Sequence, residues 1–317
     1  MTSCPGDPVH VVLPGGVDDP ATPSGGNSYD LRVCAALEAA GRTVHRVDVP
    51  GAWPHPRTED LDRLAAALAA VPAGRVVLLD GLVACAAPDV VEPAAERLRL
   101  VVLLHLPLAD ETGLDPAQAA ALQAGEARTL RAASAVVATG TATGRRLAGD
   151  RALAGTRVRV VPPGVDPAPV TAPSQAGGRL VCVASVTPRK GHDVLVEALS
   201  GLTDLAWTLD CAGPARAGSG FAGLVADRVA AAGITGRVRM TGPLRPADVA
   251  VLYAGADLLV LPSRAEPYGM VVTEALARGV PVIASAVDGV PETLGRTAGG
   301  ALPGVLVPPG DAAALAG

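Results

Sequence analysis

Short apolar runs, each followed by a longer helical pattern, set the rhythm of this chain. The first run, 9–13 (VHVVL), is followed by a Gly/Pro loop, a helical pattern over 28–40, Gly41 and a second strand over 43–49. Similar runs stand at Val76–Leu79, Leu100–Leu104, Ala135–Ala138 and Val158–Val161, separated by Ala/Leu/Arg-rich stretches such as 61–70 and 116–133. Strands that are apolar along their whole length and alternate with helices predict a parallel sheet covered on both faces.

The pattern breaks after Val161. Pro162, Pro163 and Gly164 open a stretch with three further prolines and no sustained periodicity, so 165–178 reads as a linker. A second alternation follows, with strands at Leu180–Ser185, Trp207–Ala212, Val238–Thr241, Asp257–Leu261 and Val280–Ala284. The chain is therefore expected to be an α/β protein of two Rossmann-like domains, 1–164 and 179–317, with parallel sheets facing a central cleft. Ligands of such sheets lie beyond the carboxyl ends of the strands, which directs attention to the loops that follow them.

Composition narrows the function classes. At 317 residues and 49% hydrophobic content the chain can bury two cores. The net charge of −5 divides unevenly between the two halves, and neither offers a basic face for nucleic acid or anionic lipid. Cys4, Cys34, Cys85, Cys182 and Cys211 are scattered without C-x-x-C spacing or a neighbouring His that would complete a zinc site. They read as buried thiols in a reducing compartment, the cytoplasm. The polar, Pro-containing start, Thr2 to Pro8, lacks the pattern of a secretory signal, and no apolar run approaches the roughly eighteen residues of a membrane span. Aromatic residues at 2% are too few for the stacking platforms of a lectin.

Two loops in the second half carry candidate chemistry. The strand at 180–185 leads into Val186-Thr187-Pro188-Arg189-Lys190-Gly191-His192-Asp193, and Val194–Leu199 reads as a helix. Two cations before a helix N-terminus suit a diphosphate, and Lys190 is the sole lysine of the chain. The same pair is also what a solvated turn looks like. After the strand ending at Leu261 comes Pro262-Ser263-Arg264-Ala265-Glu266-Pro267-Tyr268-Gly269-Met270, with a helix expected from Met270 to Gly279. Glu266 then sits in the loop and Glu274 in the helix. Carboxylates accept hydrogen bonds from vicinal diols, as in ribose or a pyranose, without a metal; one capping acid and one surface Glu is the alternative.

The run P-S-x-x-E-P-Y-G with a second Glu eight residues after the first resembles the E-x7-E signature of retaining GT-B glycosyltransferases, glycosyltransferase family 4 (glycosyl transferases group 1). The stretch with R-K-G-H, Gly279-Val280-Pro281-Val282, Gly289-Val290-Pro291-Glu292 and Val305–Asp311 resemble further family motifs in order and spacing over nearly all of 180–313. The N-terminal half is similar more loosely.

The resemblance implies that Arg189 and Lys190 neutralise the pyrophosphate of a nucleoside-diphosphate sugar. Glu274 would hold the ribose hydroxyls and Glu266 a hydroxyl of the donor sugar, with backbone N–H groups of Gly269, Met270 and Val271 assisting. His105, which ends the strand Val101–Leu104, corresponds to the family's cleft histidine and is expected to face the transferred sugar; an ordinary strand-end His is the alternative. Gly25 and Gly26, before the first helix, would let backbone approach a phosphate or the acceptor; a plain loop with Asn27 or Ser28 as N-cap is the alternative.

Transfer with retention, without cofactor or metal, follows from the resemblance and from the charge that Arg189 and Lys190 supply. The acceptor, whether small molecule, lipid or glycan, is undetermined. Relatives continue past the P-G-D stretch with further helices, so the chain, ending at Gly317, is expected to lack them. A nucleotide-sugar-binding protein without transferase activity and a nucleotide-sugar epimerase or phosphorylase are the alternatives.

Overall fold

The computed structural model describes residues 7–215 and 220–317; Cys4 and the stretch before Asp7 lie outside the described residues. The chain divides into two compact units, one running up to Asp19 and then over Ser24–Pro162, the other comprising Pro20–Pro23 and Pro163–Gly317.

Unit 1 contains β1 (Val9–Pro14), α1 (Gly25–Ala39), β2 (Val44–Val49), α2 (Thr58–Ala69), β3 (Val76–Asp80), α3 (Gly81–Ala84), α4 (Pro88–Ala95), β4 (Arg99–Leu104), α5 (Pro116–Ala132), β5 (Ala135–Ala138), α6 (Thr141–Gly149) and β6 (Val158–Val160). Its strands are all parallel in the order β2-β1-β3-β4-β5-β6. The strand order reverses between β1 and β3, and at such a switch point a doubly wound sheet opens a crevice.

Unit 2 contains β7 (Arg179–Val183), α7 (His192–Ser200), β8 (Thr208–Ala212), α8 (Phe221–Ala231), β9 (Val238–Gly242), α9 (Pro246–Ala254), β10 (Leu258–Leu261), α10 (Met270–Leu276), β11 (Val282–Ser285), α11 (Val290–Leu294), β12 (Gly304–Val307) and α12 (Ala312–Ala316). This sheet is also parallel, in the order β12-β11-β10-β7-β8-β9, which is the Rossmann order with its reversal between β7 and β10. The two sheets thus have different strand orders but one construction principle. No helix among the described residues is long and apolar enough to cross a membrane.

Burial explains the continuous apolar strands. Val77, Leu79, Leu100, Val102, Leu104 and Val136 are fully buried in one cluster, while Val11 and Leu13 pack with Cys34 in another. Unit 2 repeats this with a cluster around Leu195, Leu209 and Ile234 and a second around Leu259, Val272 and Val282. Each fully buried Leu or Val contributes about 1.5–3 kcal/mol, so neither face of a strand can spare its apolar side chains.

Three local details differ from the sequence reading. Helix α1 begins at Gly25, because the Ser24 hydroxyl accepts the Asn27 N–H at 3.0 Å and caps the helix ahead of Asn27 and Ser28. Gly25 and Gly26 are therefore first-turn helix residues and not a loop. Strand β12 lies within the stretch read only as a motif; it is four residues long with Val305 exposed, too short to show a period.

Residues 165–178 have no regular secondary structure, but they are fastened to unit 2. The Thr171 N–H donates to the Arg278 carbonyl at 2.8 Å and its hydroxyl to the Tyr253 carbonyl at 3.2 Å. Asp257, just before β10, accepts from the Ser174 N–H and hydroxyl at 2.6 Å each and from the Arg179 N–H at 2.8 Å. Burial works against the Asp257 charge, yet these bonds outweigh it and hold the carboxyl below its ordinary range. Asp257→Ala should therefore destabilise unit 2 by about 1–2 kcal/mol, read in urea as a lower midpoint with an unchanged slope. An unshifted midpoint would mean that the segment is not fastened in solution.

Candidate functional site

Because β7 and β10 are neighbours in the sheet, the loops that follow them emerge side by side. After β7, Pro188–Lys190 makes one turn of 3-10 helix, and Gly191, at φ 71°, turns the chain into α7. A Cβ on Gly191 would stand 2.0 Å from the Pro262 carbonyl oxygen, so glycine is what allows the two loops to touch. The Arg264 N–H donates to the Arg189 carbonyl at 2.7 Å, and the Arg264 guanidinium reaches the Pro188 carbonyl at 2.6 Å and both Asp193 oxygens at 2.8 Å. Burial disfavours the Asp193 carboxylate, but Arg264 overcomes this and holds its pKa below the ordinary value.

Within this frame Lys190 donates to the Glu266 carboxylate, and the two side chains are only 14% and 11% exposed. Burial pushes the Glu266 carboxyl up, but the Lys190 and Arg189 charges pull harder, and its pKa is lowered overall. The Ser263 hydroxyl stands 3.4 Å from the same Glu266 oxygen, and Arg189 donates to the Ala265 carbonyl at 3.1 Å. The Glu266 N–H donates to Asp288 at 2.7 Å. Asp288 is the one non-glycine residue with positive φ among those described, at 42°, a conformation that Asp tolerates better than most.

Gly269, at φ 87°, starts α10, and Met270 and Val271 form its first turn, whose N–H groups have no carbonyl one turn earlier in the helix. Glu274 follows one turn on. The fully buried Tyr253 donates its hydroxyl to Glu274 at 3.2 Å and lies 3.3 Å from the Val271 carbonyl, so Glu274 is oriented from beneath. Burial, and then Glu274, push the Tyr253 phenol well up, which keeps it a donor. His192 turns away from these loops into the core, where its Nε2 lies 3.7 Å from Cys182 Sγ.

In unit 1, His105 directly follows β4. Its Nε2 is 2.8 Å from Asp30 of α1 and 3.6 Å from Asp80, the last residue of β3. Burial alone would lower the His105 pKa, but the Asp30 hydrogen bond and the Asp30 and Asp80 charges raise it. Gly26 packs against the His105 ring, while Gly25 is exposed. The structure therefore brings Arg189, Lys190 and Glu266 together at the switch point of unit 2, with Gly269, Met270, Val271 and Glu274 on the following helix; His105 and Gly26 meet in unit 1.

Residues 177–317 match the family model of glycosyl transferases group 1. Over these residues the chain is similar to that family. D-inositol 3-phosphate glycosyltransferase of Salinispora tropica is 35% identical over 158 residues, covering 42% of this chain and 33% of that protein. The enzyme of the same name from Kineococcus radiotolerans is 34% identical over 184 residues, covering 52% and 42%. The matches thus span about a third to two fifths of the length of these relatives.

In overall fold the chain is similar to sucrose-phosphate synthase from Thermosynechococcus elongatus, with a TM-score of 0.77 and 23% identity over 98% of this chain and 88% of that one. It is also similar to Anabaena HepE in complex with UDP and glucose, with a TM-score of 0.68 and 19% identity over 97% and 87%. The fold is the GT-B fold.

The sequence reading missed several residues of the site. Asp193, Arg264 and Asp288 carry no local signal, because they matter only where two loops meet. Tyr253 is hidden in an apolar helix. Asp80 and Asp30 were legible in principle: one ends an apolar strand, and the other stands one helical turn after Gly26.

Lys190→Met would leave Glu266 buried without its counter-charge, at a cost of about 3 kcal/mol or more in chemical denaturation. Pairing it with Glu266→Gln should recover part of that loss; additive losses would refute the coupling. Because the Glu266 pKa is lowered, its contribution is present above the ordinary carboxyl value and is lost as pH falls through the folded-state value. Wild-type stability should therefore fall more steeply below pH ~4.5 than that of the double variant.

Proposed function

We propose that the chain is a glycosyltransferase that moves a sugar from a nucleoside-diphosphate sugar to an acceptor with retention of anomeric configuration and without a metal. The observation that carries this reading is the buried Lys190–Glu266 pair beside Arg189 at the β7/β10 switch point, followed by Glu274 on α10, all within the residues matched to the family.

The donor pyrophosphate is assigned to Arg189, Lys190 and the start of α7, which stabilise the charge that grows on the departing diphosphate. Glu274, held by Tyr253, is assigned to the ribose diol, and Glu266 to a hydroxyl of the sugar. The first turn of α10, Gly269 to Val271, offers N–H groups to the same ligand. His105 is assigned to the sugar being transferred. Glu266 is paired with a cation and has a lowered pKa, which supports hydroxyl recognition and not the nucleophile or acid of a retaining glycosidase. Free thiols at Cys34, Cys85, Cys182 and Cys211 support a cytoplasmic setting.

UDP-sugars are the first donors to try, given the UDP and glucose bound to HepE. One of the UDP-, GDP- and ADP-sugars should raise the melting temperature, by the equivalent of ~2.7 kcal/mol at a hundredfold excess over Kd, and Glu274→Ala and Lys190→Ala should abolish the shift. No stabilisation by any of them, in folded protein, would overturn the reading. Stabilisation without transfer to any acceptor would favour a nucleotide-sugar-binding protein. With an acceptor in hand, EDTA should leave the rate unchanged, and the product anomer should match the donor; loss of activity in EDTA or an inverted product would each refute that part.

A further inference from the structure

The G-G-N-S-Y-D stretch at the start of α1 belongs to neither loop of unit 2. Its face instead forms a seat for His105. A Cβ on Gly26 would stand 3.3 Å from the His105 ring carbon Cδ2, tighter than an ordinary contact, so glycine lets the imidazole lie close against the helix. Tyr29 meets the ring edge-on at 5.3 Å and 77°, with its hydroxyl anchored on the Val161 carbonyl at 2.9 Å. Asp30, only 1% exposed, holds Nε2 at 2.8 Å, and Asp80 lies 3.6 Å from the same nitrogen.

Asp80 Oδ1 accepts from the Leu82 and Val83 N–H groups at 2.7 and 3.3 Å. The second oxygen of Asp30, by contrast, is buried without a hydrogen-bond partner. The three groups crowd together, with one donor or acceptor atom of each within 4.8 Å of the others. Two ionised carboxylates beside a neutral imidazole would bury an uncompensated negative charge and leave that Asp30 oxygen unsatisfied. One proton on the imidazole and one on Asp80, donated to Asp30, remove both costs.

We propose that Asp30, Asp80 and His105 form a charge-neutral unit holding two protons, in which Asp30 is the positioning residue that keeps the imidazolium fixed by Nε2. The titration directions agree with it. Burial first, and then Asp30, push the Asp80 carboxyl up to about 7, while the His105 pKa is raised by Asp30 and Asp80 against burial. Tyr29, the other titratable group against the ring, has its phenol raised by burial and then by Asp30, and stays neutral. With Nε2–H committed to the carboxylates, Nδ1 is a donor while the ring is charged and becomes an acceptor when it deprotonates. Resting on the transferase reading, Asp30 thereby sets which polarity His105 presents to a sugar hydroxyl, and the donor form is lost as pH rises through the raised His105 pKa.

The test is 15N-histidine NMR on the full chain, with His105 assigned by His105→Gln. Wild-type His105 should titrate above the ordinary 6.5 and carry its proton on Nε2 when neutral. Asp30→Asn should lower that pKa by about one unit or more, and Asp80→Asn should lower it less. An unmoved pKa in folded Asp30→Asn, or a neutral ring protonated on Nδ1, would overturn the proposal. Saturable shifts of the His105 resonances on adding Mg2+ or Zn2+ would overturn it too, marking a cation site instead. Should Asp30→Asn fail to fold, the wild-type tautomer and the Asp80→Asn titration decide. None of these readings needs a sugar donor, so the expected titration in protein that binds no nucleotide sugar would sink the transferase reading and leave the histidine seat standing.

Discussion

A parallel strand covered by helices on both faces has no solvent side on which to carry polar chemistry. In both units this constraint drives the working side chains to the carboxyl ends of the strands, and the reversal of strand order decides which ends open outward. In unit 2 the loops after β7 and β10 must share one small space. They do so by backbone contact at Gly191, by the Arg264–Asp193 fork and by the buried Lys190–Glu266 pair. The candidate donor residues are thus a consequence of strand order before they are a matter of individual side chains.

The two units solve the burial of charge in opposite ways. Around Glu266 the nearby cations are in excess, Arg189 as well as Lys190, and the carboxylate stays ionised although it is buried. Around His105 the carboxylates are in excess, and the cluster holds on to protons instead, with both the imidazole and the Asp80 carboxyl shifted upward. A site rich in cations suits a diphosphate. A neutral cluster with a fixed ring suits the hydrogen bonds of an uncharged sugar.

Much of this architecture was legible in the chain. Buried parallel strands are continuous apolar runs, so the two alternating halves could be read from hydropathy alone, and Gly269 and Gly279 bracketed α10 as terminating signals. Where the reading failed, the reason was local competition or brevity. Ser24 captured the cap of α1 one turn earlier than Asn27 or Ser28, and β12 is too short for a pattern. The irregular 165–178 stretch looked free because its fastening to Asp257 joins residues far apart in the chain.

The sequence by itself determined the fold class, the repeated α/β units and the identity of Arg189, Lys190, Glu266 and Glu274 as candidates, because these depend on periodicity and on short-range spacing; His105 became a candidate only through the resemblance to a known family. Only the tertiary structure decided that Lys190 is held by Glu266, that Arg264, Asp193 and Asp288 brace the loops after β7 and β10 while Tyr253 holds Glu274, and that Gly26 and Asp30 serve His105. Partners separated by dozens of residues leave no periodic trace. Their protonation, too, depends on burial and neighbouring charge, which exist only once the chain has folded.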